Sequence, residues 1–295
     1  MKDQLIKGML FQNTVNVCAI SGADMLSCAR DTHELSRVCT AALGRTIMQV
    51  AMMSLGLKNE KDRLSCVLKG GGEAGNIVCT ARPGGYVKGY LDNPKTEIAL
   101  YADKLDVAMA VGWFGEMTVI RDLSMKEPYI GKTKIVSGEI AEDFANYYMQ
   151  SEQQPTLIYL GERIDTETGE VLSAGGLMIA PLPNCPTDII EKLEALAPAT
   201  SSLPDLLKEK ELSEILPNFF AGCDFVQTDC ITPHYACDCS KERLCEVLST
   251  LGVKELRSMA DEDHGAHMHC HFCNKEYDFS EQELRDIICV LEDSH

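Results

Sequence analysis

Two tight cysteine pairs near the C-terminus, Cys237-Asp238-Cys239 and Cys270-His271-Phe272-Cys273, are the residues of this sequence best suited to chemistry. Thiolates are soft ligands, and four of them from two segments that meet once in space complete a tetrahedral zinc site. Such a site leaves no open position for a substrate water, so one structural zinc per chain is expected and no catalytic residue. The Cys-x-x-Cys is a common zinc knuckle. The one-residue spacing of the first pair and the thirty residues between Cys239 and Cys270 depart from the zinc-ribbon separation of about 15–20. His264, His267, His269 and His271 crowd the second pair, and any of them could replace a thiolate, although four cysteines are the simpler set.

Other chemistries fit less well. A thioredoxin-like redox pair needs its Cys-x-x-Cys at a strand-to-helix junction, whereas Asn274 to Phe279 reads as extended or turning. A deaminase-type zinc site needs His-x-Glu and Pro-Cys-x-x-Cys, and neither is present. The glycine run Gly70 to Gly75 leads into the strand pattern Asn76 to Arg82, so it suits a hairpin turn and not a phosphate loop. Gly131-Lys132-Thr133 lacks the first glycine of a nucleotide-binding loop, because Lys126 stands there. Of the other cysteines, Cys245 and Cys289 sit on apolar helix faces and read as core, and the remaining eight have no paired spacing.

The elements that must position the pairs follow from periodicity. Asp31 to Gly56 predicts one long helix with Asp31 as cap and Glu34 completing a capping box. Leu64 to Lys69, Asn76 to Arg82, Tyr86 to Leu91, Glu116 to Arg121, Thr156 to Leu160 and Leu177 to Ala180 predict strands. Ser137 is expected to cap a helix carrying Ile140, Phe144, Tyr147 and Tyr148. Residues 1–180 thus form an α+β domain. Six of the eleven prolines then fall between Pro181 and Pro217, which breaks 181–230 into short amphipathic helices that need a docking partner. From 231 to 295 lies a small unit with helices capped by Ser240 and by Ser280 with Glu283, Leu244, Val247, Leu248 and Leu251 facing inward, and too little core to fold without a staple.

Composition narrows the function classes. With 27 basic and 45 acidic residues the net charge is −18, which repels phosphate backbones and argues against nucleic acid as partner. No apolar stretch suits a signal peptide or a membrane span, so a cytoplasmic protein without membrane contact is expected. Fourteen cysteines in that reducing compartment point to metal or redox chemistry, not to a disulfide scaffold.

The cysteine pattern resembles that of the redox-regulated heat-shock holdases called 33-kilodalton chaperonins. Gly84-Gly85-Tyr86-Val87-Lys88-Gly89-Tyr90-Leu91-Asp92-Asn93-Pro94 is similar to their core hairpin, Ile135 to Phe144 with Ser151-Glu152-Gln153 to their central helix, and Ala174-Gly175-Gly176 with Pro183 to the segment closing their main domain. The resemblance spans nearly the whole chain. It implies an α+β N-terminal domain, a mostly helical linker and a small C-terminal zinc-binding domain, with Cys237, Cys239, Cys270 and Cys273 as zinc ligands and redox residues. It implies a chaperone that captures unfolding proteins without ATP once oxidised. Disulfides are then expected within Cys237/Cys239 and within Cys270/Cys273, and the linker is expected to couple metal loss to client binding. Dimerisation of the oxidised form stays open. A thiol-disulfide oxidoreductase and a zinc-dependent interaction module are the rival readings.

Overall fold

In a computed structural model the described residues are 2–102, 104–183 and 185–293, so residue 184 of the linker and residues 294–295 of the C-terminal range lie outside them. The chain divides into two compact units, Met1–Ala236 and Cys237–His295.

In the first unit, β1 (Leu5–Leu10) and β2 (Val15–Ser21) form a hairpin, followed by α1 (Ala23–His33) and α2 (Arg37–Ser54). Next come β3 (Arg63–Lys69), β4 (Ile77–Arg82), β5 (Tyr86–Leu91), α3 (Val107–Val111), β6 (Glu116–Asp122), β7 (Tyr129–Lys134) and α4 (Ala141–Ser151). A long hairpin of β8 (Leu157–Ile164) and β9 (Val171–Pro181) precedes the short helices α5 (Thr187–Leu196), α6 (Leu203–Leu206) and α7 (Leu212–Phe219). Strands β10 (Val226–Ile231) and β11 (His234–Tyr235) end the unit. One sheet runs β10-β1-β2-β9-β8 and the other β11-β5-β4-β3-β6-β7.

Helix α2 explains the main core. Sixteen of its residues, from Val38 to Ser54, are buried, because Ala, Gly, Met and Cys let the helix lie close to strands on several sides. Partly buried Arg45 ties it to its neighbours, donating to both carboxylate oxygens of Glu162 at 3.1 and 2.9 Å and to Glu139 at 2.8 Å.

The second core is the outer face of the first sheet. Ile6, Leu10, Val15, Val17, Leu177 and Ile179 pack against Leu193, Leu203, Leu207, Leu212, Ile215, Leu216 and Phe220. The proline-broken helices therefore bury an apolar sheet face, which is the docking partner such short helices require.

The structure corrects several expectations. The long helix from Asp31 is two helices, because Glu34 adopts a left-handed conformation (φ 49°) that ends α1. Ser36, not Asp31, caps α2 by accepting from the Cys39 amide at 3.2 Å, while Asp31 pairs with Arg30. Ser137 does not cap α4. Its hydroxyl accepts from the Glu139 amide, and the buried carboxylate of Asp143 instead gathers the amides of Val136, Ser137 and Ile140. The glycine run after β3 is a turn pressed against α3, where a Cβ on Gly70 would stand 2.2 Å from the Val111 carbonyl oxygen. No helix among the described residues is long and apolar enough to cross a membrane.

Candidate metal centre

The second unit begins at Cys237. Helices α8 (Lys241–Ser249) and α9 (Val253–Asp261), the hairpin β12 (Gly265–His269) with β13 (Glu276–Ser280), and α10 (Glu281–Asp293) surround a core of Leu248, Leu256, Ala260, Phe279, Leu284 and Ile288. That core is small. Val247 and Leu251, expected inward, are about half exposed, and Cys289 is exposed. Cys245 packs at the edge of the cluster, partly buried.

Backbone geometry aims the sulfurs. The β12–β13 register brings His269 opposite Glu276, so residues 270–275 form the hairpin loop. Within that loop the Cys273 and Asn274 amides donate to the Cys270 carbonyl at 3.2 and 2.8 Å, and the Cys270 amide donates to the Lys275 carbonyl at 2.9 Å. Asn274 takes a left-handed φ of 56°, which closes the knuckle and turns both thiols to one side. The first pair is held from the other direction. Ser240 caps α8 by accepting from the Arg243 amide at 3.3 Å, and the Arg243 guanidinium pairs with Asp238 between the two cysteines.

The ligand atoms of Cys237, Cys239, Cys270 and Cys273 all lie within 4.8 Å of one another. Cys237 Sγ is 3.7 Å from Cys270 Sγ, and Cys239 Sγ is 3.3 Å from Cys273 Sγ. A tetrahedral site with metal–sulfur bonds of ~2.3 Å requires sulfur–sulfur edges of about 3.8 Å, so the four thiols fit a metal ion of that kind with little adjustment. Among the described residues no disulfide joins any of them. None of the four nearby histidines belongs to the group. His267 instead meets Asp278 at 2.7 Å, and His269 and His271 pack edge to face.

Tyr277 is the neighbour that sequence reasoning did not single out. Its hydroxyl lies 3.1 Å from Cys239 Sγ and 3.2 Å from the Cys239 carbonyl oxygen. Burial raises the Cys239 thiol, but hydrogen bonds from Tyr277 and the other three cysteines outweigh it and bring the group down to about 7. Burial and the adjoining Cys239 sulfur push the Cys273 thiol up.

Residues 3–280 match the family described as Hsp33 protein. The chain belongs to the Hsp33 family. It is 40% identical over 292 residues to the 33 kDa chaperonin of Alkaliphilus oremlandii, covering 97% of this chain and 96% of that one. It is 39% identical over 290 residues to the 33 kDa chaperonin of Clostridioides difficile, covering 98% and 99%. The crystal structure of the 33 kDa chaperonin from Thermotoga maritima superposes with a TM-score of 0.87 at 30% identity, covering 99% of this chain and 100% of that one. The chain is thus a member of a chaperone family, with four cysteines placed to hold a metal ion.

Proposed function

We propose that this protein is a redox-regulated, ATP-independent holdase of the cytoplasm, one that binds unfolding proteins when oxidised and has no enzymatic turnover. The observation that carries the reading is the convergence of four thiols within 4.8 Å in a unit of only about sixty residues, in a chain of the Hsp33 family. A domain of that size has too little core to be stable unaided. Zinc, the ion that four soft sulfurs suit best, would hold Cys237, Cys239, Cys270 and Cys273 as thiolates and staple the unit together, a contribution of ~10–16 kcal/mol in comparable thiolate domains.

Oxidation works on the same sulfurs. Each thiolate pair loses two electrons and forms one S–S bond, while one peroxide gains them and, with two protons, leaves as two waters. Pairing within Cys237/Cys239 and within Cys270/Cys273 closes the shortest loops, whereas pairing across the segments spans more than thirty residues and costs more chain entropy once the unit loosens. Sulfurs in disulfides no longer serve as thiolate ligands, so the staple is lost. The helices α5 to α7 then release the apolar sheet face that they cover, and such a face binds exposed apolar chain without ATP.

Light scattering by a denatured client tests the reading. Oxidised protein is expected to suppress aggregation at near-stoichiometric ratios and reduced protein to leave it unchanged; equal behaviour of the two forms would refute it. Peptide mapping without reductant is expected to recover the two local disulfides.

A further inference from the structure

The eleven residues from Val226 to Ala236, immediately before Cys237, close the edges of both sheets of the first unit. Strand β10 lies antiparallel on β1, with Leu5 opposite Ile231, Ile6 opposite Cys230, Lys7 opposite Asp229 and Met9 opposite Val226. The chain then turns and β11 lies parallel on β5, its His234 and Ala236 amides donating to the Gly85 and Val87 carbonyls, each at 2.9 Å.

The two ends of this strap are held differently. At β11 the Tyr235 hydroxyl donates to the Gly89 carbonyl at 2.7 Å and meets His33 Nε2 at 2.8 Å, and the His234 ring stacks on Tyr86. At β10 five of six residues are exposed, Val226 to 55%, and the register shifts between Lys7 and Gly8. Strand β10 is therefore held to β1 almost entirely by main-chain pairing, with little apolar burial, and belongs to the least stable part of the unit.

A strand so held is a replaceable occupant. Lifting β10 leaves Leu5–Leu10 as a bare edge, a row of unpaired N–H and C=O groups flanked by Ile6, Met9 and Leu10. We propose that the β1 edge is a client-docking surface of this protein, taking an extended segment of an unfolding polypeptide as an added strand in place of β10. The partner is defined by chemistry and not by sequence. Main-chain pairing is available from any extended chain, and this chain's own strap shows the edge accepting one. The inference rests on the holdase reading above and assigns it a second surface beside the apolar face under α5 to α7.

Hydrogen exchange on the full chain tests it in three samples: reduced with zinc, oxidised, and oxidised with carboxymethylated α-lactalbumin, a permanently unfolded probe without thiols. In the Leu5–Leu10 peptide the amides directed at β10 should exchange at least tenfold faster on oxidation and return towards the reduced rate with the probe. Val15–Ser21 in β2 should stay protected throughout. Amides of β1 that never open, or that open and are not protected again by the probe, overturn the proposal. Protection regained on oxidation alone in a concentration-dependent way also overturns it, since a second copy would then be the occupant. If aggregation is suppressed while β1 stays closed, only this inference fails. An oxidised protein that suppresses no aggregation fails the holdase reading first.

Discussion

The Tyr277 hydroxyl reaches Cys239 from 38 positions along the chain, 3.1 Å from the sulfur and 3.2 Å from the carbonyl oxygen of the same residue. A donor there favours the thiolate over the thiol, and burial works in the opposite direction.

Tyr277→Phe should therefore raise the Cys239 thiol of the metal-free protein above about 7, while Cys239→Ser should abolish that titration altogether. Thiolate absorbance in the ultraviolet against pH reads both. Because ligands must shed protons to bind metal, affinity at neutral pH should fall by ~10-fold in Tyr277→Phe, and the deficit should shrink as pH rises and the thiol ionises unaided. An unchanged titration would remove Tyr277 from the account.

Metal analysis of the reduced protein should give one zinc per chain. Cys270→Ser removes a thiol whose sulfur is 3.7 Å from Cys237 Sγ, and this variant should lose tight stoichiometric binding. Retention of full affinity in that variant would contradict the four-thiol site.

The cluster was legible because each half of it is local: a pair with only one or two residues between its members stays together however the chain folds. Tyr277 was not, since only the β12–β13 register brings Glu276 back opposite His269 and so carries Tyr277 towards the first pair. Strands β2 and β10 escaped detection for a different reason. Strand β2 is buried on both faces and shows no alternation, and the edge strand β10 is exposed at nearly every residue, so neither displays the period-two signal. Local capping patterns read well at Ser240 and at Ser280 with Glu283, where the Ser280 amide donates to Glu283 at 2.9 Å and its hydroxyl accepts from the Glu283 amide. They failed at Asp31 because the backbone reversal at Glu34 decided where α2 begins.

Leu216→Ala tests the covering role of the short helices. Leu216 is fully buried between α7 and the first sheet, and the truncation should cost about 2–5 kcal/mol in urea unfolding of the reduced protein. The same variant should bind more of an apolar dye before any oxidant is added, since its hold on the sheet face is weaker. Normal stability with unchanged dye binding would mean that this face is not under α7 in solution.

The central claim is that loss of the thiolate site and capture of clients are one event. It is tested most directly by adding graded amounts of peroxide or hypochlorous acid and measuring, in the same samples, zinc released to a chromogenic chelator and suppression of client light scattering. The account predicts that suppression rises in proportion to zinc released, and that a thiol reductant with zinc returns both to their starting values. Full suppression with zinc still bound, or complete zinc release with no suppression, would contradict it.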